Sequence, residues 1–228
     1  MGPMFSGKTS ALLEAYTRHT IAKRKCLLVK YIGDTRYDVK NIVSHDGKKI
    51  ESSCNCKLLY EIDNIVNNYQ VICIDEIQFF QDAPIFCDKW ANDGLIVELA
   101  GLSGTYLREE FPVISQLIPL AEEIHKKTAI CVQTGKDAQY TFRLSDDNTT
   151  VVIGGLDKYT PMDRITFFEN SQPDKILNYH KNNFRKFAEI YCSENKITID
   201  YDSLMDFFTT NFNHQKSYVQ IIKNFFEI

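Results

Sequence analysis

Two spacings of apolar residues alternate along the first half of the chain. Residues 8–25 carry Ala11, Leu12, Ala15, Tyr16 and Ile21 at helical spacing and close on a basic cluster, the charge a helix C-terminus favours. Residues 26–31 (CLLVKY) form a continuous apolar run of strand length. Leu58, Leu59, Ile62, Ile65, Val66 and Tyr69 recur with helical period, which predicts an amphipathic helix over 57–69. Residues 71–75 (VICID) read as a buried strand that runs into two carboxylates, Asp75 and Glu76. A helix over 82–92 is stopped by Asp93-Gly94, a strand follows over 95–101 (LIVELAG), and a short helix over 112–121. Strands apolar throughout and alternating with helices predict a parallel sheet covered on both faces.

The pattern changes after residue 126. Runs 129–132 and 149–153 are short and β-like, joined by a polar stretch and followed by Gly154-Gly155, which predicts a small hairpin-like subdomain. From Pro173 the chain is helical again: Ile176, Leu177, Phe184, Phe187, Ile190 and Tyr191 make one stripe, and Leu204, Phe207 and Phe208 begin another. The expected organisation is an α/β domain over 1–126, a small subdomain over 127–169 and a helical C-terminal extension over 170–228. No internal repeat is visible.

Composition narrows the class without naming it. Of 228 residues, 44% are hydrophobic and 25% charged, ordinary for a globular chain with a sizeable core. A net charge of −4 gives no general attraction to nucleic acid or anionic membranes. No run is long enough to span a bilayer and no charged-then-apolar leader is present, so a cytoplasmic setting is expected. Seven scattered cysteines, an odd number, fit reduced thiols in such a compartment.

Chemistry enters at the very start. Gly2-Pro3-Met4-Phe5-Ser6-Gly7-Lys8-Thr9 is a complete G-x-x-x-x-G-K-T phosphate loop. Its backbone N–H groups turn around phosphate oxygens, Lys8 reaches the terminal phosphates, and Thr9 ligates Mg²⁺. The helix that follows adds its positive end to the same anion site. Asp75 is placed to hold the Mg²⁺ shell opposite Thr9, and Glu76 to take a proton from an attacking hydroxyl or water. A phosphate loop usually leaves a buried strand, whereas only Met1 precedes Gly2 here. Either a strand is missing or another segment fills its place.

Further segments narrow the choice. The chain reads GPMFSGKT at 2–9, KYIGDTRY at 30–37, SHDG at 44–47, IDEIQFF at 74–80, LSGTYLREEF at 102–111, IPLAEEI at 118–124 and VIGGLDKY at 152–159. In this order and at these separations, residues 1 to about 169 closely resemble the thymidine kinases of the cellular and poxviral type. The resemblance implies transfer of the γ-phosphoryl of ATP to the 5′-hydroxyl of thymidine, and of deoxyuridine as a second acceptor, in nucleotide salvage. It implies Glu76 as catalytic base, Lys8 neutralising developing charge, and Asp34, Thr35 and Arg36 as a second phosphate-side loop with Arg36 on the transferred group. Met4, Phe79, Leu102, Tyr106, Phe111 and Tyr159 match a thymidine pocket with Gln78 beside them. Thr141 and Arg143 match the near arm, and Thr150, Val151, Val152, Ile153 and Gly154 the far end, of a lasso loop that closes over the base. A homotetramer is implied by the resemblance alone, and a small-molecule substrate rather than nucleic acid or membrane is the expected partner.

The family commonly pins its lasso with zinc held by two C-x₂-C pairs. The matching positions here are Cys131 and Thr134, then Asp163 and Thr166, so only one thiolate remains and structural zinc is not expected. A helical tail packing beside the lasso is one way to make up the loss. Two further departures are Ile77, where the family has glycine after the catalytic glutamate, and Ser103, where it has aspartate. The competing readings are a decayed nucleotide-binding relative and a phosphate-loop ATPase that activates water.

Overall fold

The computed structural model describes residues 1–34, 41–43, 49–144, 155, 157–171, 173–213 and 216–226. The chain divides into two units, Met1–Phe167 and Phe168–Ile228. The first begins with α1 (Lys8–Ile21), β1 (Cys26–Tyr31), β2 (Asn41–Val43), β3 (Lys49–Glu51), β4 (Cys54–Cys56), α2 (Asp63–Val66) and β5 (Val71–Ile74). It continues through α3 (Ala83–Asn92), β6 (Ile96–Leu99), α4 (Pro112–Leu117), β7 (Ala129–Ile130), β8 (Asp137–Ala138), β9 (Tyr140–Arg143), β10 (Tyr159–Met162) and α5 (Arg164–Asn170).

Strands β4, β1, β5 and β6 lie side by side in that order, every pair parallel. Because strand side chains alternate between faces, successive residues of β1 and β5 feed two separate cores. Leu27, Val29, Ile72 and Ile74 join Trp90, Phe80 and Val113 on the α3 and α4 side. Leu28, Val71 and Cys73 join Leu12 and Leu13 of α1 on the other. This two-sided burial is why these strands read as continuous apolar runs.

The residues that lead into the phosphate loop lie beside the segment that follows β6. Met1 and Gly2 hold that place: Gly2 N–H donates to Gly101 O (3.3 Å), Ser103 N–H donates to Gly2 O (3.1 Å), and Gly2 bridges Leu102 in parallel sense. On the other side Lys127 N–H donates to Met1 O (2.8 Å), and the Met1 amino group donates to His125 O (2.7 Å).

Two expectations are corrected locally. The helix predicted over 57–69 is a 3-10 turn (Leu59–Ile62) running into the single turn of α2. Side chains hold its start. Asp82 accepts from the N–H groups of Leu59 (3.0 Å) and Tyr60 (2.9 Å), and Glu61 from those of Lys57 (3.1 Å) and Leu58 (2.8 Å). Leu59, Ile62 and Val66 are nevertheless buried as the stripe requires. The hairpin-like subdomain uses different partners from those predicted. β7 pairs with β8 around a turn in which Gly135 takes φ +68°, and β9 pairs with β10. Residues 149–153 lie outside the described residues.

The second unit contains α6 (Pro173–Asn195), α7 (Tyr201–Asn211) and α8 (Tyr218–Phe225). Asp200 and Ser217 cap α7 and α8 by accepting from the N–H groups of Asp202 and Gln220. Phe184 stacks on Phe208 with ring centroids 4.3 Å apart, and Leu204, Ile221 and Ile222 close around them. Ile190, on the predicted stripe, faces solvent instead. No helix among the described residues is long and apolar enough to cross a membrane.

Trp90 sits fully buried in the sheet-side core, and its indole N–H donates to Asp63 Oδ1 (2.8 Å), which also receives Lys89 Nζ (2.8 Å). Lys89 first, then Trp90, hold the Asp63 carboxyl below its ordinary range. Asp63→Ala strands the buried indole donor and is expected to cost about 1–3 kcal/mol of unfolding free energy in urea followed by circular dichroism. A depressed carboxylate stabilises above its unfolded pKa and loses that contribution as pH falls. The stability gap between wild type and Asp63→Asn therefore narrows as pH falls through the ordinary carboxylate range and below it.

Candidate active site

The loop from Gly2 to Thr9 folds into a nest above the sheet. Phe5 (φ 64°) and Gly7 (φ 72°) both take left-handed conformations, and Gly7 is the N-cap of α1. Alternating handedness turns successive N–H groups inward, and the first turn of α1 carries no acidic side chain to compete for them. A Cβ on Gly2 would stand 2.6 Å from both Lys127 O and Ser6 Oγ, so glycine is required there for close backbone approach. Ser6 Oγ donates to Pro3 O (2.8 Å), and Lys8 Nζ rests on the same carbonyl (2.6 Å). The loop is tied to the lasso hairpin through Met4 N–H, which donates to Thr141 Oγ1 (3.0 Å).

Opposite the loop, β5 delivers the two carboxylates. Thr9 Oγ1 lies 3.3 and 3.2 Å from the two oxygens of Asp75. This hydroxyl and carboxylate side by side fit a hard divalent cation such as Mg²⁺, which takes oxygen ligands. Burial, and then the adjacent Glu76 charge, push Asp75 up to about 7, against the pull of Lys8 and the Thr9 hydroxyl. Glu76 stands in a left-handed conformation (φ 52°), a strained position for a side chain of this size. Gln78 holds it: Nε2 donates to Glu76 Oε2 (2.6 Å), while Oε1 accepts from Leu102 N–H (3.0 Å). Gln78 is buried, so this amide acts as a strut between the ends of β5 and β6.

One cleft gathers Met4, Phe5, Gly7, Lys8 and Thr9 of the loop with Asp34, Asp75, Glu76 and Leu102. It also takes in Ser10, Lys30, Asn41, Ile42 and Val43, which the sequence reading does not single out. Lys30 is the informative omission. It is a buried cation in the otherwise apolar β1, with Nζ donating to Asn41 O (3.0 Å), and a lysine inside such a run is itself the signal. Together with Lys8 it gives the cleft two ammonium groups.

The predicted nucleoside side chains fall into several groups. Met4 and Leu102 line the cleft. Phe79 packs on Tyr31 (centroids 5.2 Å apart), and Phe111 lies against the sheet-side core. Tyr106, Arg143 and Tyr159 form a stack in which Arg143 lies 3.8 Å over the Tyr106 ring and donates to Tyr159 Oη (2.6 Å). Thr35 and Arg36, and Thr150, Val151, Val152, Ile153 and Gly154, lie outside the described residues.

The four positions matching the zinc pairs offer one thiol, two hydroxyls and one carboxylate. Both Asp163 oxygens already accept hydrogen bonds, from Thr134 Oγ1 (2.6 Å), Thr166 N–H (3.0 Å) and Thr166 Oγ1 (3.1 Å). Such a donor set does not fit tetrahedral Zn²⁺. Among the described residues, no group of three or more His, Cys, Asp or Glu is arranged to hold a metal.

The family model for thymidine kinase matches residues 1–167. The thymidine kinase of Rabbit fibroma virus is 42% identical over 168 residues, covering 74% of this chain and 93% of its own. Cytosolic thymidine kinase of Gallus gallus is 40% identical over 182 residues, 80% of each chain. The Homo sapiens cytosolic enzyme is 42% identical over 171 residues, covering 75% of this chain and 72% of its own. Phosphate nest, paired carboxylates and relatives agree: the chain belongs to the thymidine kinase family.

Proposed function

We propose that this protein transfers the γ-phosphoryl of ATP to the 5′-hydroxyl of thymidine, with deoxyuridine as a second acceptor, in the cytoplasm. The observation that carries the reading is the opposition of Lys8 and Thr9 to Asp75 and Glu76 across one cleft. The triphosphate lies along the nest with its terminal phosphate toward Lys8 and Lys30, which offset charge developing on the transferred group. Thr9 and Asp75 would hold Mg²⁺, which would supply positive charge to offset that of the phosphates. Glu76 accepts the proton of the attacking hydroxyl, and Gln78 keeps its carboxylate aimed. Met4 and Leu102 supply the apolar wall nearest the reacting groups, and the Tyr106–Arg143–Tyr159 stack the polar-aromatic wall of the nucleoside side.

ADP release from Mg-ATP by the full chain should depend on thymidine. Glu76→Gln should lower kcat by about 10²–10⁴-fold with ATP binding retained. ADP release that ignores thymidine would identify an ATPase instead. ATP binding without any turnover would identify a nucleotide-binding relative that has lost catalysis. Gln78→Ala removes the strut but no reacting group, so kcat should fall by about tenfold while KM for ATP holds.

A further inference from the structure

A zinc site of two C-x₂-C pairs gathers thiolates around one cation. At the same four positions this chain gathers donors around one anion. We propose that Cys131, Thr134, Asp163 and Thr166 form a metal-free clasp in which the Asp163 carboxylate replaces the metal as the common bonding centre.

Two segments, the β7–β8 turn and the junction of β10 with α5, meet at that carboxylate. Thr134 belongs to the turn between β7 and β8, closed by Cys131 N–H donating to Lys136 O (2.8 Å) and Gly135 N–H donating to Cys131 O (2.8 Å). Asp163 follows directly on Met162, the last residue of β10. Thr166 lies in the first turn of α5, where Asp163 acts as N-cap by accepting its N–H while Phe167 N–H donates to Asp163 O (2.9 Å). Cys131 and Thr166 are buried and only 7% of Asp163 is exposed, so the two Thr166 bonds are made away from water, where loss of a partner costs most, whereas Thr134 reaches the carboxylate from the surface. The Thr134 hydroxyl, then the Thr166 N–H, outweigh burial and hold the Asp163 carboxyl down to about 2, with the Thr166 hydroxyl and Cys131 thiol adding to them. Burial raises the Cys131 thiol, but the Thr134 hydroxyl and the backbone N–H groups of Asp163, Thr134 and Gln133 outweigh it.

The clasp reaches the phosphate loop through two links. Met162 pairs with Tyr140 and Pro161 with Thr141 across the β9–β10 hairpin, and Thr141 Oγ1 receives Met4 N–H. Asp163, Thr134 and Thr166 are therefore positioning residues for the lasso hairpin.

The test begins with metal content and melting of the purified full chain. No stoichiometric zinc is expected, and Tm should not change with chelator or added zinc. Asp163→Ala should lower Tm by about 4–8 °C, with Thr134→Val lowering it less. The combined Thr134→Cys, Asp163→Cys, Thr166→Cys variant, with Cys131 in place, should bind one zinc per chain and become chelator-sensitive. In turnover, Asp163→Ala should raise KM for thymidine several-fold with kcat held within about twofold. That readout rests on the kinase reading, whereas metal content and melting do not. Stoichiometric zinc in the wild-type chain, or melting lowered by chelation, overturns the clasp. Asp163→Ala and Thr134→Val melting with wild type overturn it too, and decide the matter if the triple variant does not fold.

Discussion

Everything catalytic in the first unit depends on how the chain holds Met1 and Gly2. A phosphate loop needs its nest fixed at the end of a sheet, and Met1 and Gly2 are fixed there by their neighbours. They are clamped between residues 101–103 on one side and 125–127 on the other. Backbone hydrogen bonds run along both edges, and the absence of a Cβ at Gly2 lets the clamp close. From this anchor follow the left-handed Phe5 and Gly7, the inward N–H groups, and the placing of Thr9 against Asp75.

The cleft is an electrostatic compromise. Asp75 and Glu76 are neighbours in sequence that share one cleft, and Asp75 is buried, which by itself penalises its negative charge. Lys8 and Lys30 stand in the same cleft, and a bound cation would add to them. Burial and repulsion raise Asp75 in the free protein, so the carboxylate is poised to be stabilised by what binds there. The left-handed Glu76 belongs to the same arrangement, its conformation maintained by Gln78 and by the two strands Gln78 joins.

Strands β1 and β5 were readable because they are buried on both faces and motifs sit at their ends, whereas the edge strand β4 (CNC) carries no apolar run and was not predicted. Helical period alone failed over 57–69: the apolar stripe was correct, but it is carried by a 3-10 turn and a single α turn whose first N–H groups are capped by Asp82, a partner distant in sequence. Gln78 could be placed near the site from its motif, but its role as a strut depends on rotamer and on Leu102 N–H, neither of which spacing encodes. Lys30 was legible in principle as a charge within an apolar strand. The arrangement at 131, 134, 163 and 166 was visible in sequence only as missing cysteines. Threonine and aspartate are so common in turns that their convergence becomes informative only in three dimensions.

Trp90 is the chain's only tryptophan, and it lies wholly inside the first unit. The second unit, built on phenylalanine and tyrosine, contributes helix but no indole. The two units consequently carry different optical signatures. Indole emission follows the first unit alone, while far-ultraviolet ellipticity sums over both. Superimposable denaturation curves from the two signals would mean that the units unfold together, and separated curves that each melts on its own. The distribution of one residue type thus makes the cooperativity between them measurable without a label.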